Sequence, residues 1–182
     1  MTWQQLPNGK WVGDLDGVDD YVEVLDDPSL DPDYITIEAY IMLKDPPTRF
    51  QVILSKRYAD TVKQYVLAGD PTGRKFHLGI SIGDTWYDSP ETPTLAFDTW
   101  YHITGTFDGS KLSIYLNGEF IGATNVSGVI DKTTEPLVIG LNRGYNIYFH
   151  GLIAFVRIYN RALSDEEIKQ LYDLARRVVP MG

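Results

Sequence analysis

The feature that most constrains this chain is a two-residue hydrophobic period that recurs along its length with no helix between repeats. YITIEAYIML (Tyr34–Leu43) is the clearest case, with Ile35, Ile37, Ala39 and Ile41 alternating against Thr36, Glu38, Tyr40 and Met42. Successive strand residues point to opposite faces, so the isoleucine set is expected in a core and the other set on the far side of a sheet. YVEVL, QVILSK, KQYVLAG, KFHLGISI, TWYHITGTF, KLSIYLN, EFIGATN, EPLVIGL and FHGLIAFVRIY carry related patterns, which makes about ten strands. Turn chemistry separates them. Asn117-Gly118 suits a type I′ hairpin, which needs positive φ twice, and Asp108-Gly109 and DPTG (Asp70–Gly73) mark further reversals. Strands in quick succession argue for an all-β, antiparallel two-sheet sandwich, one domain over residues 1–182.

One helix is expected, and it closes the chain. Ser164 stands at an N-cap position with Glu167 three residues on, a capping box. Asp165 and Glu166 complement the positive end of the helix dipole, and Arg176 and Arg177 the negative end. Ile168, Leu171, Tyr172 and Ala175 form an apolar stripe. A helix of this length is marginal alone, so the stripe must pack on the sandwich.

Four ordered blocks give a resemblance. GLIAFVRIYNRALSDEEIKQLY (Gly151–Tyr172), LDGVDDYVEV (Leu15–Val24), ITIEAYI (Ile35–Ile41) and WYHITGTFDGSKLSIYLNGE (Trp100–Glu119) resemble the laminin-G-like members of the concanavalin A-like lectin/glucanase superfamily. Tyr40 stands where that pattern usually has Trp. The resemblance implies a jelly roll of two antiparallel sheets with roughly six or seven strands each and one C-terminal α-helix packed outside. It also implies an extracellular, cell-surface or virion setting within a larger protein.

The superfamily includes glucanases as well as lectins. A retaining glycosidase needs two carboxylates about 5 to 5.5 Å apart. The Glu-x-Asp spacings with which relatives place them on one strand are absent, and Glu38 has no acidic companion at 36 or 40. His77, His102 and His150 lie in strand patterns without a nucleophile elbow. A hydrolase or lyase would require two acidic groups, or a His and a Tyr, brought into one cleft from different strands. Net charge −9 disfavours nucleic acid and anionic membranes, and no apolar run is long enough for membrane insertion. Zero Cys removes thiolate chemistry, and no apolar leader-like stretch opens the sequence.

Two surfaces are candidates for ligand. One is a groove on the far face of the strand at 34–43, with Glu38, Tyr40, His102 and Tyr115. The other comprises segments read as loops, with Arg57, Tyr58, Trp86, Tyr87, Tyr145 and Tyr148. DLDGVDD (Asp14–Asp20) sets four carboxylates in seven residues, oxygen ligands of the kind calcium takes. The resemblance implies a structural calcium held partly by an Asp after Gly-x-Ile, but that position is Ala154, which leaves Asp16 or Asp19 with backbone carbonyls. A solvated acidic turn is the alternative. These features point to a non-catalytic recognition module, carbohydrate-binding or adhesive, whose partner is a glycan or a surface protein. The competing expectation is a structural or protein-interaction domain with no sugar site.

Overall fold

The computed structural model describes residues 1–44, 50–58 and 60–179. Its strands, β1–β15 in chain order, form two large antiparallel sheets. The seven-stranded sheet runs β1 (Thr2–Gln5), β2 (Trp11–Asp16), β15 (His150–Tyr159), β4 (Ile35–Leu43), β9 (Trp100–Phe107), β10 (Lys111–Leu116), β11 (Glu119–Asn125). The six-stranded sheet runs β3 (Val22–Val24), β12 (Leu137–Ile139), β5 (Val52–Tyr58), β6 (Val62–Gly69), β7 (Phe76–Ile82), β8 (Thr85–Asp88). β13 (Leu141–Asn142) and β14 (Ile147–Tyr148) make a small separate pair. A jelly-roll sandwich with one C-terminal helix is the result.

Alternation decides the core. Ile35, Ile37, Ala39 and Ile41 of β4 join Ile103 and Phe107 of β9 and Leu112 and Ile114 of β10. From the other sheet they meet Ile53, Leu54, Tyr65, Leu67, Phe76, Leu78 and Ile80. The sheets approach closely at Gly105, where a Cβ would lie 2.6 Å from the Leu78 side chain. Burying this set removes most of its apolar surface from water, the main driving force for folding.

The predicted reversals form as their chemistry requires. Asn117 and Gly118 have φ 53° and 80°, both positive, between β10 and β11. The Asp70 carboxylate accepts from the Arg74 and Lys75 N–H groups between β6 and β7, and Asp108 does the same for Ser110 and Lys111 between β9 and β10. Where β5 meets the Pro28–Leu30 turn, the fully buried Lys56 donates to Asp26, Asp31 and the Thr133 carbonyl, each at 2.8 Å.

The helix α1 (Asp165–Val178) begins at Ser164, with both bonds of the capping box present. It lies on the outer face of the seven-stranded sheet. Ala175 and Val179 pack with Val12, Tyr40, Trp100 and Leu152, while Ile168 and Leu171 pack with Tyr115, Tyr159 and Leu163. The β10–β11 turn tucks against α1, since a Cβ at Gly118 would lie 3.2 Å from Tyr172.

Candidate functional site

The groove expected on the seven-stranded sheet is filled. Glu38, Tyr40 and His102 do face away from the core, as the alternation requires, but α1 and β15 leave each of them 0% exposed. Tyr40 stacks between Trp100 and Phe155, with ring centroids 5.3 and 5.9 Å away, and donates its hydroxyl to the Val179 carbonyl. Desolvation pushes that phenol up to about 12. Glu38 accepts from Arg157 Nη1 at 2.6 Å and from the Tyr159 hydroxyl at 3.2 Å, and its other oxygen lies 2.9 Å from His102 Nε2. Burial alone would raise the Glu38 carboxyl, but the bonds from His102 and Arg157 hold it below the usual range. These three residues are a structural network with no path to a ligand. Tyr115 alone of the four borders open space, beside the first turn of α1.

The second set is resolved differently. Most of it is not in loops: Arg57 and Tyr58 end β5, Trp86 and Tyr87 lie on β8 and Tyr148 on β14, so only Tyr145 sits in a turn. The strands are the reason they can be held in place. On the outer face of the six-stranded sheet, Arg57, Trp86 and Tyr145 converge. The Arg57 guanidinium lies 4.6 Å from the Trp86 ring centroid and 5.9 Å from that of Tyr145. Arg57 Nη2 donates to Asp60 at 2.9 Å, and the Tyr145 hydroxyl donates to the other Asp60 oxygen. The Tyr145 bond, then the charges of Arg57 and Lys63, keep the Asp60 carboxyl below its ordinary value, and the same bond raises the Tyr145 phenol.

The sheet surface supplies the floor. Val52, Val66 and Ala68 form an apolar patch on which Trp86 and Ile147 rest. Gly79 allows the indole to lie flat on β7, because a Cβ there would come within 2.3 Å of Trp86 Cζ2. Trp86 Nε1 donates to Asp88 at 2.8 Å, and His77 Nε2 stands 3.4 Å from the same oxygen. A cleft of about 310 Å³ results, bordered by Phe50, Val52, Arg57, His77, Asn142 and Tyr145 among others. An apolar floor, aromatic faces and a few fixed polar groups are the ordinary constitution of a small-molecule site.

The remaining members of the set lie elsewhere. Tyr58 is exposed at the end of β5, Tyr87 turns inward against the core, and Tyr148 is half-buried opposite Leu141. Residues singled out by no motif complete the cleft, with Asp60 holding Arg57 and Tyr145 from outside the lining: His77, Asn142 and the Val66/Ala68 pair. Only the last pair had a sequence signal, since alternation in KQYVLAG places it opposite Tyr65 and Leu67.

Asp16, Asp19 and Asp20 bring carboxylate oxygens within 4.8 Å of one another. Two of the three carboxylates already have partners. Asp16 accepts from the Val18 and Asp19 N–H groups, the first of which is the main reason its carboxyl titrates low. Asp20 accepts from the Asp16 N–H and pairs with the Met1 amine. Ala154 offers no side-chain oxygen and packs in the cluster of Val12 and Tyr40. The residues present therefore fit a backbone-stabilised acidic turn better than a calcium cage.

Comparison with known families matches residues 16–169 to the laminin G group described as the concanavalin A-like lectin/glucanases superfamily. The chain belongs to the concanavalin A-like superfamily. Among solved structures it is similar to domain 4 of the extracellular GH43 arabinanase AbnA of Geobacillus stearothermophilus, solved with arabinotriose. That match has 20% identity and TM-score 0.69, covering 93% of this chain and 80% of that one. A proposed carbohydrate-binding protein of Bacteroides ovatus matches at 20% identity and TM-score 0.68, over 87% of this chain. The binding domain of Paraclostridial Mosquitocidal Protein 1 matches at 14% and 0.71, over 95%. This chain spans 46% and 45% of the last two proteins' lengths. No curated protein matches in sequence. Concanavalin A-like structures at these identities share the fold. Among the described residues no helix is long and apolar enough to cross a membrane.

Proposed function

We infer that this concanavalin A-like domain is a non-catalytic carbohydrate-recognition module whose site is the Arg57–Trp86–Tyr145 cleft. The observation that carries this reading is the convergence of an indole, a phenol and a guanidinium around an apolar floor on the six-stranded sheet. Sugar rings present apolar C–H faces and hydroxyl edges. The former stack on aromatics, and the latter pair with Arg57 and Asn142. The arabinotriose in the arabinanase domain, and the likeness of the fold to a botulinum neurotoxin type G receptor binding domain, support a glycan or surface partner. An extracellular setting, as for the arabinanase, fits the same reading. In this reading the acidic turn at Asp16 takes no part in binding, since Asp16 and Asp20 already accept from backbone N–H groups and the Met1 amine.

The cleft lining contains no carboxylate among the described residues, so the acid pair of a glycosidase is not present there. His77 and Tyr145 do border the cleft together, the combination that would suit an elimination. Each is committed elsewhere: the Tyr145 proton is held on Asp60 and His77 Nε2 faces Asp88. Glycan-array binding, with and without chelator, tests recognition. Binding lost in Trp86→Ala upholds the cleft, while silence across the array moves the function to protein partners. Release of unsaturated uronate from polysaccharides would replace recognition by lyase chemistry.

A further inference from the structure

Two buried side-chain oxygens lack a hydrogen-bond partner among the described residues, Ser55 Oγ and Asn142 Oδ1. Both belong to the face that carries the cleft. Ser55 pairs with Val66 across β5 and β6, and Val66 with Gly79 across β6 and β7, so Ser55 shares a row with the cleft floor and the glycine on which Trp86 rests. Asn142 pairs with Ile147 across β13 and β14, and Ile147 packs on the Val52, Val66 and Ala68 patch. Cross-strand partners share a face, so the Asn142 amide is turned toward the same patch. Asn142, 5% exposed, lines the cleft, whereas Ser55, 1% exposed, does not.

A nearly buried amide oxygen is expected to be paired, and leaving it bare costs the desolvation of that group. The hairpin around Asn142 keeps it in place. Arg143 pairs with Glu23 of β3 at 3.3 Å, the Asn142 carbonyl accepts the Tyr145 N–H at 3.3 Å, and the Tyr145 hydroxyl is held by Asp60. With both flanks tethered, the oxygen is positioned before a ligand arrives.

The surroundings select the donor. Val52, Val66, Ala68 and Gly69 border the same cleft. A hydroxyl donating to Asn142 Oδ1 would turn its own lone pairs onto that apolar floor and leave them unpaired. A protonated amine would meet the Arg57 charge and, among the described residues, no carboxylate in the lining. An amide N–H has nothing further to satisfy, and in an acetamido group it brings a methyl that the floor can bury. At about 310 Å³ the cleft is at the small end of ligand sites, with room for one sugar unit and its substituent.

We propose that the cleft selects 2-acetamido sugars, N-acetylglucosamine or N-acetylgalactosamine, at the end of a glycan chain. The acetamido N–H donates to Asn142 Oδ1 and its methyl rests on Val66 and Ala68, which makes Asn142 the residue that sets specificity. This inference rests on the reading of the cleft as a carbohydrate site and adds the class of sugar.

The test is an indole and amide NMR titration of the full chain with the methyl glycosides of N-acetylglucosamine, N-acetylgalactosamine, glucose and galactose, alongside arabinotriose, in wild type and Asn142→Ala. Methyl 2-O-acetylglucoside, which keeps the methyl and carbonyl but has no N–H, makes the same comparison without a variant. Both acetamido sugars should shift the Trp86 indole and Gly79 and bind roughly tenfold more tightly than the parent sugars or the ester, the worth of one hydrogen bond. Asn142→Ala should erase that preference and leave the unfolding midpoint unchanged or higher, because it removes an unpaired buried oxygen. Cleft shifts with equal affinity for acetamido and parent sugars, or with arabinotriose alone, would overturn the acetamido class and leave the cleft a carbohydrate site. So would a preference that persists in Asn142→Ala, or an ester that binds as well as the amide. Silence at Trp86 and Gly79 with every sugar would sink the recognition reading and this inference together.

Discussion

The two sheets present outer faces of opposite character. That of the seven-stranded sheet carries a buried charge network, Glu38 with His102 and Arg157, sealed by α1 and β15. That of the six-stranded sheet carries Trp86, Arg57 and Tyr145, and among the described residues the cleft bordered by Arg57 and Tyr145 stays open. Both hold aromatics and charges on paired strands, so residue type does not tell them apart. The covering helix does: it buries the polar groups beneath it, while those away from it keep part of their surface in solvent. Tyr115 lies where the cover ends, half in each class.

The largest effect should come from breaking the covered face. Glu38→Gln removes the anion that Arg157 and His102 share, and we expect a loss of about 3 kcal/mol in urea unfolding with glycan binding intact. An unchanged midpoint would mean the network is not what holds that face. On the open face the expectation reverses. Trp86→Ala should weaken glycan binding at least about tenfold while leaving the unfolding midpoint nearly unchanged. Gly79→Ala, whose new Cβ would collide with the indole, should weaken binding in the same direction, and wild-type affinity in that variant would show that the indole need not lie flat.

Smaller effects sharpen the contrast. Ser164→Ala removes the N-cap of α1 and should cost about 1 kcal/mol, with no change in cleft affinity. Acid should act on the covered face through Glu38. Its folded-state pKa is depressed below 4.5, so its contribution is complete above the unfolded value and is lost as pH falls through the folded one. Stability of the wild type should therefore decline below about pH 4.5 more steeply than that of Glu38→Gln. Parallel acid curves for the two proteins would contradict this assignment. Asp60, held below 3.8, should keep the cleft arranged over the same range, so affinity should be flat from neutrality to about pH 4. The smallest expected effect is that of calcium: adding it or a chelator should leave melting temperature and affinity unchanged. A chelator-sensitive melt would restore Asp16 and Asp19 as ligands.

Much of the sandwich was legible because its signals are local. The alternation in β4, the Asn117-Gly118 turn and the Ser164 capping box each depend on neighbours within a few residues. β1 and β2 were not anticipated: TWQQ is polar and exposed throughout, and its pairing with WVGDLD leaves little apolar contrast to read. For the candidate site, Arg57, Trp86 and Tyr145 were visible as residue types but not as one constellation. The groove assigned to Glu38, Tyr40 and His102 failed for a related reason, since a period of two identifies two faces of a strand without saying what covers either.

By itself the sequence determined that this chain forms strands, which side of each enters the core, where the principal turns fall and how the closing helix is capped. Those are matters of dihedral preference, short-range hydrogen bonding and hydrophobic period. Only the tertiary structure decided that α1 lies over Tyr40 and His102, and that the β5-β6-β7-β8 order, with Gly79 leaving room, brings Trp86 to Arg57. Contacts between residues tens of positions apart are fixed by how the sheets order and pack, so the choice between a sealed face and an open one is made at that level.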